Sequence, residues 1–213
     1  MSESRRNALA RSAIEPAPPR RTEYGWELSG RAAVDRGATA LRLTDCSALT
    51  KTSLRADPAG RVAEAVDVPV RMARRDGGGV LTAALAPGEW LALGPPHPAE
   101  PVSWPANLPD EGLVTVVDVT HGLTLLQLVG PASAAVLAKL CPVDLYDSVT
   151  PNGSALRSLV AGVVVGVIRD DVANQHRYWV FSERSVGRYL FDALLDAGAE
   201  FGIDVDGFSS DKF

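Results

Sequence analysis

The chain has 213 residues and a formal net charge of −5; hydrophobic residues make up 46% of it and charged residues 22%. These values describe one large or two small globular units with a real core, and they exclude a disordered chain. The acidic balance argues against a phosphate-backbone partner. No window approaches the ~20 apolar residues of a membrane span, and no signal-peptide run opens the chain, so a cytoplasmic protein is expected.

Residues 1–22 hold three prolines and the arginines Arg5, Arg6, Arg11, Arg20 and Arg21 with little periodicity, which predicts a flexible N-terminal arm. From residue 41 a strand runs into the turn Asp45-Cys46-Ser47. A second strand over 52–56 stops at Asp57-Pro58, where proline suits the first turn of a helix. The run Gly77-Gly78-Gly79 reads as a hairpin turn, and Pro87-Gly88 leads into a strand carrying Trp90. Six prolines between 94 and 111, with His97 and Trp104 among them, mark a connector.

Beyond the connector the same pattern returns. A strand over 114–117 ends at Asp118-Val119-Thr120-His121, a strand over 123–129 stops at Gly130-Pro131, and a helix is predicted over 132–140. Aligned without a gap at an offset of 73, residues 41–70 and 114–143 place Asp45 on Asp118, Ser47 on Thr120 and Pro58 on Pro131. The strands over 163–168 and 178–181, with Trp179 set against Trp90, and a helix over 186–201 complete the second copy. The expectation is an α+β protein of two pseudo-repeated strand-turn-strand-helix halves. Its boundaries are the arm 1–22, a first half 23–94, the connector 95–111, a second half 112–203 and a C-terminal tail 204–213.

Candidate chemistry is sparse. Cys46 and Cys141 stand in no CxxC pair, which speaks against both a disulfide framework and a metal centre. No G-x-S-x-G elbow, P-loop or G-x-G-x-x-G opens a helix, and His176 falls in a polar loop beside Asp170 and Asp171. Asp118, Thr120 and His121 cluster at one strand end. They either meet a ligand or partner, or cap the turn through backbone N–H groups. Trp90 and Trp179 read as core aromatics. Trp104 either tucks against its own chain or anchors a partner. The arm, the connector with Trp104, and the tail with Phe208 and Phe213 are the candidate apolar contributors to a partner-facing surface.

Several segments together resemble a known family. They are the Asp118-Val119-Thr120-His121 turn, the strand to Gly130-Pro131, Lys139-Leu140-Cys141-Pro142-Val143-Asp144-Leu145, Pro87-Gly88-Glu89-Trp90-Leu91, the last helix, and Ser12-Ala13-Ile14-Glu15-Pro16. They look like the gamma subunit of heterotetrameric sarcosine oxidase, a family similar in turn to the folate-binding domain of the glycine cleavage T protein, an aminomethyltransferase. The resemblance covers about residues 31–203. It implies a non-catalytic subunit packed on a large alpha chain, with beta and delta subunits, in oxidative demethylation of sarcosine or a related N-methyl amine. It further implies that FAD, FMN, NAD and tetrahydrofolate are held by partner chains and none by this one. The other implied reading is a stand-alone tetrahydrofolate-binding protein of the aminomethyltransferase type. The acidic residue that family uses at the folate has no secure counterpart here.

Overall fold

The computed structural model describes residues 8–34, 37, 40–96, 109, 112–210 and 213. An N-terminal hairpin pairs β1 (Arg20–Glu23) with β2 (Trp26–Ser29), and Tyr24 and Gly25 between them both take positive φ, as a tight hairpin turn requires. The first repeat unit supplies β3 (Arg42–Asp45), β4 (Thr50–Arg55), α1 (Arg61–Val66), β5 (Ala73–Arg75), β6 (Leu81–Ala86) and β7 (Glu89–Gly94). The second supplies β8 (Thr115–Asp118), β9 (Leu123–Val129), α2 (Ser133–Leu140), β10 (Ala155–Val160), β11 (Val163–Arg169), β12 (Arg177–Glu183) and α3 (Gly187–Gly198). A last strand, β13, spans Asp204–Asp206.

These elements form an α+β fold of four layers. One sheet has the order β10-β11-β12-β9-β3-β13 and the other β5-β6-β7-β4-β8. Leu81, Leu91 and Leu93 of one sheet and Leu125, Ile168, Trp179 and Phe181 of the other share a buried cluster between the sheets. The outer face of the six-stranded sheet packs Leu43, Leu126, Leu128 and Val180 on Val136, Leu137, Leu190 and Leu194 of α2 and α3. The outer face of the five-stranded sheet packs Leu54, Trp90 and Ala92 on Val62 and Val66 of α1. A central strand covered on both faces must be apolar nearly throughout, and β9, Leu-Thr-Leu-Leu-Gln-Leu-Val, is such a strand.

The two units exchange their first strands. β3 lies beside β9 of the second unit, and β8 lies beside β4 of the first. The repeat is also not gapless. Asp45 pairs with Leu126 while its counterpart Asp118 pairs with Thr52, so the second strands correspond at an offset of 74 rather than 73. One extra residue in the His121-Gly122 turn accounts for it, and a one-residue step moves every later side chain to the other face. Trp179 is therefore not the counterpart of Trp90. Tyr178 pairs with Leu128 as Trp90 pairs with Leu54, and Trp179 points between the sheets while Trp90 faces α1. Both tryptophans are buried core residues.

Two segments set apart in the sequence are built into the globule. Ile14, in the expected flexible arm, is only 4% exposed within the core under α2 and α3, and Arg20–Glu23 is strand β1. Residues of the expected tail form β13, parallel to β3, and Phe208 is buried between the sheets. An isoleucine or phenylalanine released to water forgoes about 1.5–3 kcal/mol of burial, which favours both folding inward. Neither Ile14 nor Phe208 is thus available as an exposed partner contact. Trp104, most of the connector and His97 lie outside the described residues.

Candidate functional site

The two Asp-containing turns meet where the units exchange strands. In the first, Asp45 Oδ1 accepts hydrogen bonds from the Ser47 amide at 3.0 Å and the Ser47 hydroxyl at 2.6 Å, and Ser47 Oγ accepts from the Leu125 amide at 3.2 Å. In the second, Asp118 Oδ1 accepts from the Thr120 amide at 2.8 Å, and Thr120 Oγ accepts from the Lys51 amide at 2.9 Å. Each carboxylate shapes its own turn, and each hydroxyl ties that turn to a strand of the other unit. Asp118 is thus engaged locally and Thr120 is buried.

His121, one residue further on, is exposed, and its ring lies on Trp26 of β2 with centroids 4.8 Å apart and planes 9° from parallel. Neither Trp26 nor the hairpin that carries it was singled out from the sequence. Their only signal there is the Tyr24-Gly25 turn dipeptide.

Between the turns sits Lys51, fully buried, whose Nζ donates to the carbonyl oxygens of Ser47 at 2.7 Å and Leu49 at 2.8 Å. Burial lowers its pKa to about 7, against the opposing pull of the Asp45, Cys46 and Asp118 charges. Burial likewise raises the Asp45 carboxyl, against hydrogen bonds from Ser12 and Ser47. An amine poised near neutrality is a chemical resource, but this one is enclosed by its own turn, its Nζ held by the Ser47 and Leu49 carbonyls.

A second polar region closes one end of the space between the sheets. Asp170 Oδ2 accepts from Arg75 at 2.6 Å, from Trp179 Nε1 at 3.2 Å and from Arg177. Burial alone would raise the Asp170 carboxyl, yet the two guanidiniums hold it below the usual range. Asp171 pairs with the buried Arg169, which also donates to Asp147 at 2.6 Å and to the Thr150 carbonyl at 2.8 Å. Both candidate acidic residues of this half are therefore occupied by arginines. Beside them opens a cavity of about 240 Å³ bordered by Arg42, Thr44, Gln127, Arg177, Asp206 and Phe213. The Phe213 ring stands against the edge of Trp179 at 5.6 Å and under the Arg75 guanidinium at 4.4 Å.

Among the described residues no group of three or more His, Cys, Asp or Glu side chains could hold a metal ion. The triple glycine turns the β5–β6 hairpin and opens no helix. At the β9–α2 junction a Cβ on Gly130 would lie 2.3 Å from the Ala40 carbonyl oxygen, so the chain passes β3 there too closely for any other residue.

Residues 98–211 match the family model of the GCVT N-terminal domain. The gamma subunit of sarcosine oxidase from Corynebacterium sp. (strain P-1) is 29% identical over 181 residues, covering 79% of this chain and 86% of that one. Among solved structures, a chain of the heterotetrameric sarcosine oxidase from Corynebacterium sp. U-96, in complex with pyrrole 2-carboxylate, is 26% identical with a TM-score of 0.64, over 78% of this chain and 87% of that one. The glycine cleavage system aminomethyltransferase T from Bartonella henselae is 15% identical with a TM-score of 0.63, over 88% of this chain and 55% of its own, a likeness of fold.

Proposed function

We propose, for a chain that belongs to the GCVT N-terminal domain family and to the sarcosine oxidase gamma subunits within it, the role of gamma-type subunit in a heterotetrameric sarcosine-oxidase-like flavoenzyme. The observation that carries this reading is coextension: the similarity runs over most of this chain and most of a gamma subunit, rather than over one motif. The subunit packs on a large alpha chain, with beta and delta subunits completing the assembly that oxidatively demethylates sarcosine or a related N-methyl amine. FAD, FMN, NAD and tetrahydrofolate belong to those partner chains, and the assembly works in the cytoplasm. No helix among the described residues is long and apolar enough to cross a membrane.

A non-catalytic role for this chain is supported by how its titratable groups are used. Asp45 and Asp118 shape turns, Asp170 and Asp171 neutralise arginines, and Lys51 is sealed in. His121 and Trp104 are the proposed partner contacts, with Asp118 and Thr120 holding the turn that presents His121.

Direct binding of tetrahydrofolate is the second reading; the cavity beside Arg177, about 240 Å³ with Phe213 at its border, falls below the ~300–1,000 Å³ of typical small-molecule sites, while the open cleft of about 430 Å³ between Pro58 and Trp90 lies within that range. Co-expression with the chain's genomic neighbours followed by native mass spectrometry tests the proposal. A four-chain flavoprotein containing this chain is expected. A stable monomer that binds tetrahydrofolate at micromolar concentration by itself would overturn it in favour of the stand-alone reading.

A further inference from the structure

The two Asp turns are built alike and set in different surroundings. Asp118 makes its turn at the exposed end of β8. Asp45 makes the same turn beneath the N-terminal segment, where Ser12 Oγ lies 3.3 Å from the Ser47 hydroxyl and burial raises the Asp45 carboxyl. A turn of this kind needs one side-chain oxygen, which asparagine offers without a charge. Turn geometry therefore does not account for an ionisable group at the covered position.

Asp45 borders a cavity of about 170 Å³ set between residues 14–17, β2, β13 and α3. Much of its wall is apolar, with Ile14, Leu28, Phe191, Leu195 and Val205. A cavity of about 150 Å³ takes up a benzene-sized molecule. This one therefore suits a ligand of about six to eight heavy atoms and is far too small for a folate.

The charges around the cavity single out Asp45. Five carboxyl groups border it against two guanidiniums. Glu15 pairs with Arg20, Glu27 with Arg11 at 2.9 Å and Asp192 with Arg188 at 2.7 Å, while Asp206 accepts from the Ala33 and Gly207 amides, each at 3.0 Å. Asp45 is bonded by hydroxyls and an amide alone, and the Lys51 ammonium nearby is held by the Ser47 and Leu49 carbonyls. A charge drawn away from water is ordinarily paired with an opposite one, and the cavity leaves room for that partner.

We infer that this cavity binds a small ammonium ion with an apolar body, a branched alkylamine or a benzylamine, whose nitrogen donates to the Asp45 carboxylate and whose hydrocarbon part lies against Phe191 and Leu195. Such a ligand satisfies the apolar wall and the carboxylate together. A neutral molecule of the same shape gains the apolar contact alone, and a hydrated inorganic cation the charge alone. The inference concerns the free chain and stands whether or not the subunit reading holds.

Benzylamine titrated into the full chain, followed by two-dimensional amide NMR, tests it. Saturable shifts at Leu28, Phe191, Leu195 and Val205 are expected, with a Kd of about 1 mM or tighter. Benzyl alcohol should bind about tenfold more weakly. Asp45→Asn keeps the turn oxygen and should remove that preference, leaving the two probes within about twofold of each other. Leu195→Trp fills the cavity and should abolish binding of both probes while the spectrum stays that of a folded chain; it carries the test if Asp45→Asn does not fold. Equal affinity of the wild type for amine and alcohol would overturn the ammonium assignment, as would an undiminished amine preference in Asp45→Asn. Shifts that do not saturate, or that persist in Leu195→Trp, would overturn the cavity as the site.

Discussion

The Lys51 amide donates to the Thr120 hydroxyl oxygen at 2.9 Å across 69 residues of sequence, joining the first unit's second strand to the second unit's first turn. Strand exchange depends on such bonds, because each turn must find its hydrogen-bond partner in the opposite unit. Thr120→Val keeps the shape and leaves the buried Lys51 N–H without its acceptor. A loss of about 1–3 kcal/mol is expected in urea denaturation, with the fold retained.

The Lys51 side chain should make stability depend on pH. Its folded pKa, about 7, lies below the ordinary 10.5. Below pH 7 both states carry the proton and this contribution is flat. Between about 7 and 10.5 the unfolded chain binds more protons than the native one, so stability rises with pH. Urea midpoints at pH 6, 7.5 and 9 should climb for the wild type. Lys51→Met should remove that slope whatever it does to absolute stability, and an unchanged slope would contradict the assignment.

Gly130 stands at φ +135°, and a Cβ there would lie 2.3 Å from the Ala40 carbonyl oxygen. The obstructing atom is backbone at the entrance to β3, so it cannot swing aside. Gly130→Ala should cost about 2–3 kcal/mol, read as a fall in Tm, through strain at the seam between the units.

Ile14 fills the core beneath α3 from a segment whose sequence looks like a loose arm. Ile14→Ala should cost about 2–4 kcal/mol, the range for truncating a buried aliphatic residue. A change below about 0.5 kcal/mol in thermal unfolding would mean that the arm is not part of the folded unit.

His121 presents an exposed imidazole on the face of Trp26. His121→Ala should lower stability by at most about 1.5 kcal/mol, because only the stacking contact is lost. If His121 meets a partner, the same change should weaken assembly measurably. The pair of readings, Tm of the free chain against yield of the complex, separates the two roles.

The sequence by itself determined some of the elements and left out others, β1, β2, β10 and β13 among them. Alternating apolar runs, Gly-Pro and Asp-Pro stops and the two Asp-x-Ser/Thr turns announced β3, β4, β8, β9 and α2, because those signals are local and act within a few residues. The repeat was legible for the same reason, and so was the burial of Trp90 and Trp179. The tertiary structure alone decided which strand lies beside which. Pairing β3 with β9 joins residues more than 80 positions apart, and no local pattern distinguishes that choice from pairing within a unit. It also decided the one-residue step that turns Trp179 away from Trp90's position, since an extra turn residue leaves the apolar pattern readable while reversing the faces. Lys51 sealed among carbonyls, Asp170 and Asp171 bound to arginines, and Trp26 beneath His121 all follow from those pairings.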